Sequence, residues 1–225
     1  MWAKVQTSEL DSRDFVIVVL GPVGSGKSAF IAKATGSLYE DTGQEFCAGS
    51  HTRSIQATKC AIGKSSNVVL VDTPGFGDKN MSEIQILAMV SKWLHETYDR
   101  KATAILCFHP ITDNRMRWSP SNKLAVLQEL CEDTSVSKIV LVTTMWDEVD
   151  EDIGNERLAE FRENYWKTMI LQGARTFRYW NTPESARELL QAVTDEVTII
   201  PVPGSANGTR GLAMPDSTPS HDFER

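Results

Sequence analysis

The sequence carries no surplus of positive charge: 23 Lys and Arg stand against 30 Asp and Glu, a formal net charge of −7 over 225 residues. A protein that holds nucleic acid by neutralising its phosphates needs a basic face, so the totals give no reason to expect that partner. Cysteine is scarce. Cys47, Cys60, Cys107 and Cys131 contain no Cys-x-x-Cys pair, and three of them sit beside apolar residues, as buried free thiols do. That pattern speaks against a disulfide framework and suits a reducing compartment. Long apolar runs are also missing, since no stretch approaches the roughly 18 to 20 residues that a membrane helix needs. Met1 to Asp14 is too polar for a signal peptide. No internal repeat is visible, and the expectation is a soluble, cytoplasmic chain with one core, long enough to fold without staples.

What is present is the stretch Gly21-Pro22-Val23-Gly24-Ser25-Gly26-Lys27-Ser28, which reads Gly-x-x-x-x-Gly-Lys-Ser directly behind the apolar run Phe15 to Leu20. This is a phosphate-binding loop. Its glycines let the backbone aim N–H groups at an anion, Lys27 reaches the terminal phosphates, and Ser28 offers a hydroxyl to Mg²⁺. Ala29 to Ala34 should open a helix whose positive end faces the same phosphates, so Ala29 joins Gly21 to Ser28 as a nucleotide contact. The helix should stop at Gly36. Ser37 to Ser54 has neither period and reads as a long loop of the functional kind, containing Thr52 as a second Mg²⁺-binding hydroxyl. On chemistry alone Thr42, Ser50 and Ser54 compete with it.

Ile55 to Ile62 is a weaker strand of the sort found at a sheet edge, with Gly63 to Asn67 as its turn. Val68 to Asp72 is a second buried strand ending in an acid, followed by Thr73-Pro74-Gly75-Phe76. A carboxylate at the carboxyl end of a strand lying beside the first can hold the Mg²⁺ shell through water, and Gly75 brings an unobstructed N–H to the terminal phosphate. Ser82 to Tyr98 carries a helical stripe with Ser82 as cap. Ala102 to Phe108 is a third buried strand. The loop His109 to Trp118 carries Arg115 and Arg117, and Ser119-Pro120 caps a helix with Leu124, Leu127 and Leu130 on its stripe.

Lys138 to Thr144 is a fourth buried strand, ending in Thr144-Met145-Trp146-Asp147. A carboxylate in the plane of a purine accepts from both the ring N–H and the exocyclic amine of guanine, whereas adenine shows a bare acceptor at the ring position. Asp147 therefore favours guanine. A helix is predicted over Ile153 to Leu171 with Leu158, Phe161, Tyr165 and Ile170 on one side. Arg175 to Trp180 is a fifth parallel strand, and Thr182-Pro183 caps a last helix. Trp180 opens a loop placed to contact the base. From Pro201 onward little is left to bury, so the organisation reads as an extension over 1–13, one domain over 14–196 and a disordered tail over 197–225.

In chain order, the phosphate loop, Thr52, Asp72-Thr-Pro-Gly75 and Thr144-x-x-Asp147 resemble the guanine-nucleotide-binding domain of translation-factor-class GTPases. Within them the chain is most similar to the septin, Toc and immunity-associated (GIMAP) branch, and to fungal G-domain-containing proteins with Ile111-Thr112-Asp113-Asn114-Arg115-Met116 after the third buried strand. The third motif departs from the family's Asn/Thr-Lys-x-Asp because Met145 replaces the lysine that lies against the nucleoside. The resemblance implies a three-layer α/β sandwich, a P-loop G domain with a mostly parallel sheet. It also implies GTP or GDP as ligand with Mg²⁺ on Ser28, Thr52 and Asp72, and pairing of two copies across the nucleotide face. Lys27, Thr52 and Gly75 are the expected catalytic contacts. Phe76 stands where many small GTPases carry a water-orienting glutamine, so intrinsic turnover should be slow unless another group enters. Arg115, presented to a partner's nucleotide, is the candidate for that group and His51 a weaker one. A nucleotide-stabilised interaction module with negligible turnover, and a P-loop ATPase or small-molecule kinase, are the competing readings.

Overall fold

A computed structural model describes residues 14–36, 52–62, 66–99, 101–114, 119–131 and 135–194. Its strands are Phe15–Leu20 (β1), Gln56–Ile62 (β2), Ser66–Asp72 (β3), Ala104–Pro110 (β4), Ile139–Thr144 (β5) and Arg175–Arg178 (β6). Its α-helices are Lys27–Thr35 (α1), Glu83–Tyr98 (α2), Leu124–Leu130 (α3), Glu151–Glu160 (α4), Lys167–Leu171 (α5) and Pro183–Thr194 (α6). One six-stranded sheet runs β2-β3-β1-β4-β5-β6. Only β2, at an edge, is antiparallel to its neighbour; the other pairs are parallel.

Successive side chains on a strand point to opposite faces, and this sorts the apolar runs into two cores. Val16, Val18 and Leu20 of β1 join Val69, Val71, Ile86 and Val90 on one face; Ile17 and Val19 join Phe30, Leu70, Leu189 and Leu190 on the other. Each such fully buried Val, Ile or Leu contributes about 1.5–3 kcal/mol, so a strand apolar at every position is stable only between two helical layers. The result is the expected three-layer α/β sandwich. The β1–β3 register pairs Val19 with Asp72, which sets the carboxyl ends of these strands level.

Several local expectations are corrected. Ser66 and Asn67 lie in β3 rather than in a turn, His109 and Pro110 still belong to β4, and β6 stops at Arg178, leaving Trp180 in the loop beyond it. Ser119 makes no side-chain cap, and a single 3-10 turn, Pro120–Lys123, precedes α3. The single helix expected over Ile153 to Leu171 begins instead at Glu151 and breaks: α4 passes into a π-helical turn, Phe161–Tyr165, closed by Trp166 N donating to Phe161 O at 2.8 Å. The extra residue in that turn rotates the next residues about the helix axis. Tyr165, expected on the buried stripe, is 36% exposed, and Trp166 takes the inner position at 1%. Three caps read from the sequence are present, among them Thr182, whose Oγ1 accepts from Ser185 N at 3.1 Å at the start of α6. Ser82 and Gln85 form a reciprocal capping box on α2, and Gly36 ends α1 in the left-handed region at φ 62°.

Candidate functional site

The loops after β1, β3, β4, β5 and β6 share one end of the sheet, the carboxyl end, where open α/β sheets bind ligands. Behind β1, Gly24 and Gly26 turn with φ of 77° and 85°, a conformation that side chains resist, and deliver the chain into α1. The loop is fastened to its neighbours by backbone groups. Val23 N donates to Phe76 O and Phe76 N to Gly21 O, both at 3.0 Å, so the phosphate loop and the loop after β3 are zipped together. At Gly75 the fit allows no side chain, because a Cβ would lie 2.6 Å from Val23 N and Cα. Thr73 Oγ1 donates to Val19 O at 2.7 Å, and Thr144 Oγ1 donates to Ser25 O at 3.0 Å, tying β3 and β5 to the same loop.

Hard oxygen donors converge where α1 begins. Ser28 Oγ donates to Asp72 Oδ2 at 2.6 Å, Thr52 Oγ1 donates to the same oxygen at 3.3 Å, and the two hydroxyls are 3.4 Å apart. Of the hydroxyls that compete for this place, Thr42 and Ser50 lie outside the described residues, as does His51. Asp72 Oδ1 is buried without a hydrogen-bond partner, and burial pushes the carboxyl above its usual range against the lowering effect of Ser28, Lys27 and Thr52. Two hydroxyls and one carboxylate, whose Oδ1 keeps its lone pairs free of hydrogen bonds, suit Mg²⁺, which takes one or two carboxylates and keeps several waters. Among the described residues no group of three or more His, Cys, Asp or Glu is placed to hold a metal ion.

Lys27 is buried, donates from Nζ to Gly21 O at 3.1 Å and to Pro22 O at 2.9 Å, and has its pKa lowered to about 8 by burial, with Asp72 opposing. A buried ammonium surrounded by loop carbonyls is a cation with unmet demand for an anion. The water-orienting position after Gly75 is filled by Phe76, whose ring is buried in the core, so it has no access to solvent at the phosphate end.

The end of the sheet where the sequence expects base contacts is built from β5 and β6. Met145 adopts φ 60°, uncommon for such a residue, and its sulfur accepts from Thr112 Oγ1 at 3.6 Å. Asp147 is exposed in the 3-10 turn after it. Tyr179, 1% exposed, keeps a hydroxyl without a hydrogen-bond partner, and burial and the charge of Asp147 push its pKa up. Trp180 N donates to Ser185 Oγ at 3.1 Å, and Lys33 of α1 donates from Nζ to Asn181 O and, at 2.8 Å, to Asn181 Oδ1. Asn181 falls in the loop read from the sequence as base-contacting, but Lys33 and Tyr179 had no signal, since no spacing announces a contact between a helix and a loop so far along the chain. Of the expected residues, Gly21 to Ala29, Thr52, Asp72, Gly75, Thr144, Asp147 and Trp180 lie along this end of the sheet, while Arg115 falls outside the described residues.

Known proteins of this geometry bear on its kind. Solved structures with the same fold include a dimerization-deficient mutant of Toc33 from Arabidopsis thaliana, with 15% identity, 81% of this chain and 84% of that chain covered, and TM-score 0.59. A structure of the chloroplast translocon components atToc33 and psToc159 covers 81% and 82% at 16% identity and TM-score 0.56. The bacterial selenocysteine-specific elongation factor EF-Sec shows 16% identity and TM-score 0.52 over 82% of this chain, which spans only 28% of that factor. No curated protein matches the chain. Residues 16–157, more than half of the sequence and the span from Val16 in β1 through Asp147, match the family model described as 50S ribosome-binding GTPase, and it is to this family of GTPases that the chain belongs.

Proposed function

We propose that the chain is a guanine-nucleotide-binding protein that hydrolyses GTP to GDP and phosphate with Mg²⁺, slowly when alone. The carrying observation is the convergence of Ser28, Thr52 and Asp72 oxygens beside buried Lys27, on the same end of the sheet as Asp147. Gly21 to Ala29 cradle the phosphates through backbone N–H groups, and Lys27 exchanges its carbonyl contacts for phosphate oxygens, where charge develops as the bond breaks. Ser28, Thr52 and Asp72 would hold the cation, which would supply charge neutralisation at the phosphates. Gly75, pressed on Val23, carries its N–H past the phosphate loop. Thr144 sets the height of the base end against Ser25, Asp147 accepts from the guanine edge, and Trp180 flanks it.

Slow turnover is the consequence of Phe76, because a ring packed in the core cannot hold a water in line. A second copy supplies the missing group in our reading, with Arg115 reaching the partner's nucleotide. The root of its loop is firm: Arg157 Nη1 donates to Ile111 O at 2.9 Å and Thr112 O at 3.1 Å. Dimerization is important for the GTPase activity of atToc33 and psToc159, which have the same fold. In our reading the Ile111 to Met116 stretch resembles fungal members of the septin, Toc and GIMAP branch. Phe76 also favours a second reading, a nucleotide-stabilised interaction module with negligible turnover.

The base assignment is tested with Asp147→Asn. An amide reverses one hydrogen bond, so GDP affinity should fall by on the order of a hundredfold while xanthosine diphosphate gains. Equal loss for GDP and ADP, or ADP released from denatured wild-type protein, would refute guanine recognition.

A further inference from the structure

Trp146, between Met145 and Asp147, is locked on three sides. Its Nε1 donates to Thr143 Oγ1 at 3.0 Å, the Arg178 guanidinium carbon lies 3.7 Å from its ring centroid, and a Cβ at Gly154 would stand 2.7 Å from its Cζ3. Arg178 is itself anchored. Its Nη2 donates to Asn155 Oδ1 at 2.7 Å, its charge is felt by Glu151, and its Nε is buried without a hydrogen-bond partner. A second indole, Trp180, lies 5.4 Å from the guanidinium and 5.8 Å from Trp146, and is 46% exposed at the base end. Phosphate and metal chemistry need none of this. A planar cation stacked on one indole and bordered by another, with an unpaired buried N–H, is instead a fixed frame next to the carboxylate that reads the base.

We propose that Arg178 is a positioning residue for base recognition: stacked on Trp146 and anchored to Asn155, it fixes both indoles so that Asp147 meets the ring N–H and exocyclic amine of a guanine nucleotide. The inference rests on the reading of Asp147 as the base-contacting residue. It gives the alignment that the resemblance assigns to a lysine, absent at Met145, to a residue on the adjacent strand.

The test measures equilibrium binding of GDP, xanthosine diphosphate and ADP, with Mg²⁺, to the full chain and its variants. Arg178→Ala should lower the GDP-over-ADP preference by about tenfold, with ADP binding changed by less than about twofold because the phosphate loop carries it. Arg178→Lys keeps the charge but not the planar face and should not restore the preference. Asn155→Ala should shift it the same way by a smaller factor. Equal loss for GDP and ADP in Arg178→Ala, or an unchanged ratio, overturns the proposal. If Arg178→Ala does not fold, Asn155→Ala decides, and an unchanged ratio there overturns it. Asp147→Asn separates the two ideas. If it moves preference to xanthosine diphosphate while the Arg178 variants keep the wild-type ratio, only the role of Arg178 falls; if it does not move preference, the base reading fails and takes this inference with it.

Discussion

Ser28 illustrates how a hydroxyl that serves the fold is, in the proposed function, also a ligand to the cation. Burial raises the pKa of the Asp72 carboxyl, and the 2.6 Å bond from Ser28 to its Oδ2 is the largest influence acting the other way. Removing it leaves a buried acceptor short of a donor, at a cost of about 1–3 kcal/mol. Ser28→Ala should therefore lower the urea midpoint of the ligand-free protein and abolish the Mg²⁺-dependent part of GDP affinity, read by titration with and without EDTA. His109 makes a different case. Its ring is 2% exposed, edge-on to Phe161 at 4.6 Å and to Trp166 at 6.3 Å. Burial holds its pKa below the ordinary histidine value, with Asp113 pulling the other way. Above about pH 6.5 the imidazole is neutral in both folded and unfolded chains and is not a pH-dependent cost. As pH falls below that, the unfolded chain takes up a proton that the folded core resists, so stability drops. Urea midpoints at about pH 7.5 and about pH 5.5 should differ less in His109→Phe than in wild type; an equal drop would show that other groups govern the acid limb.

At the scale of elements, the phosphate loop is positioned less by its own turns than by the loop after β3. The two exchange backbone hydrogen bonds through Gly21, Val23 and Phe76, and Gly75 is pressed on the Val23 backbone. Gly75→Ala puts a methyl where backbone already is, and something must shift. We expect a fall in GDP affinity of at least about tenfold with a stability loss of about 1–3 kcal/mol, because overpacking displaces the loop without unfolding the sheet. Wild-type affinity in Gly75→Ala would show that the zipper yields freely. The π-helical turn after α4 belongs to the same scale. It turns Trp166 inward against His109, and a continuous α-helix would have offered Tyr165 in its place.

At the scale of the whole molecule, two cores flank one sheet and the candidate site sits at its carboxyl end, so the proposed pairing across that face would not require the core to open. Among the described residues no helix is long and apolar enough to cross a membrane. Single-turnover GTP hydrolysis should accelerate with protein concentration, and Arg115→Ala should remain at the low-concentration rate, since an arginine supplied in trans is worth on the order of a thousandfold or more where it acts. A rate independent of concentration in wild type and variant alike would favour the interaction-module reading.

Features built from contiguous residues were legible in the chain alone. Gly21 to Ser28 spell a phosphate loop because its chemistry is made of neighbouring backbone groups, and Asp72 and Asp147 stood out because each closes or trails an apolar run that reads as a buried strand. Folding settled what comes together across the chain: Lys33 on Asn181, 148 residues away, Arg178 on Trp146, and Phe76 turned into the core rather than toward the phosphates. The inward turn of Trp166 was likewise hidden, since it depends on the one-residue shift of a π-turn. A pattern of residue types holds neither side-chain direction nor such a shift, because packing selects them after the strands have paired.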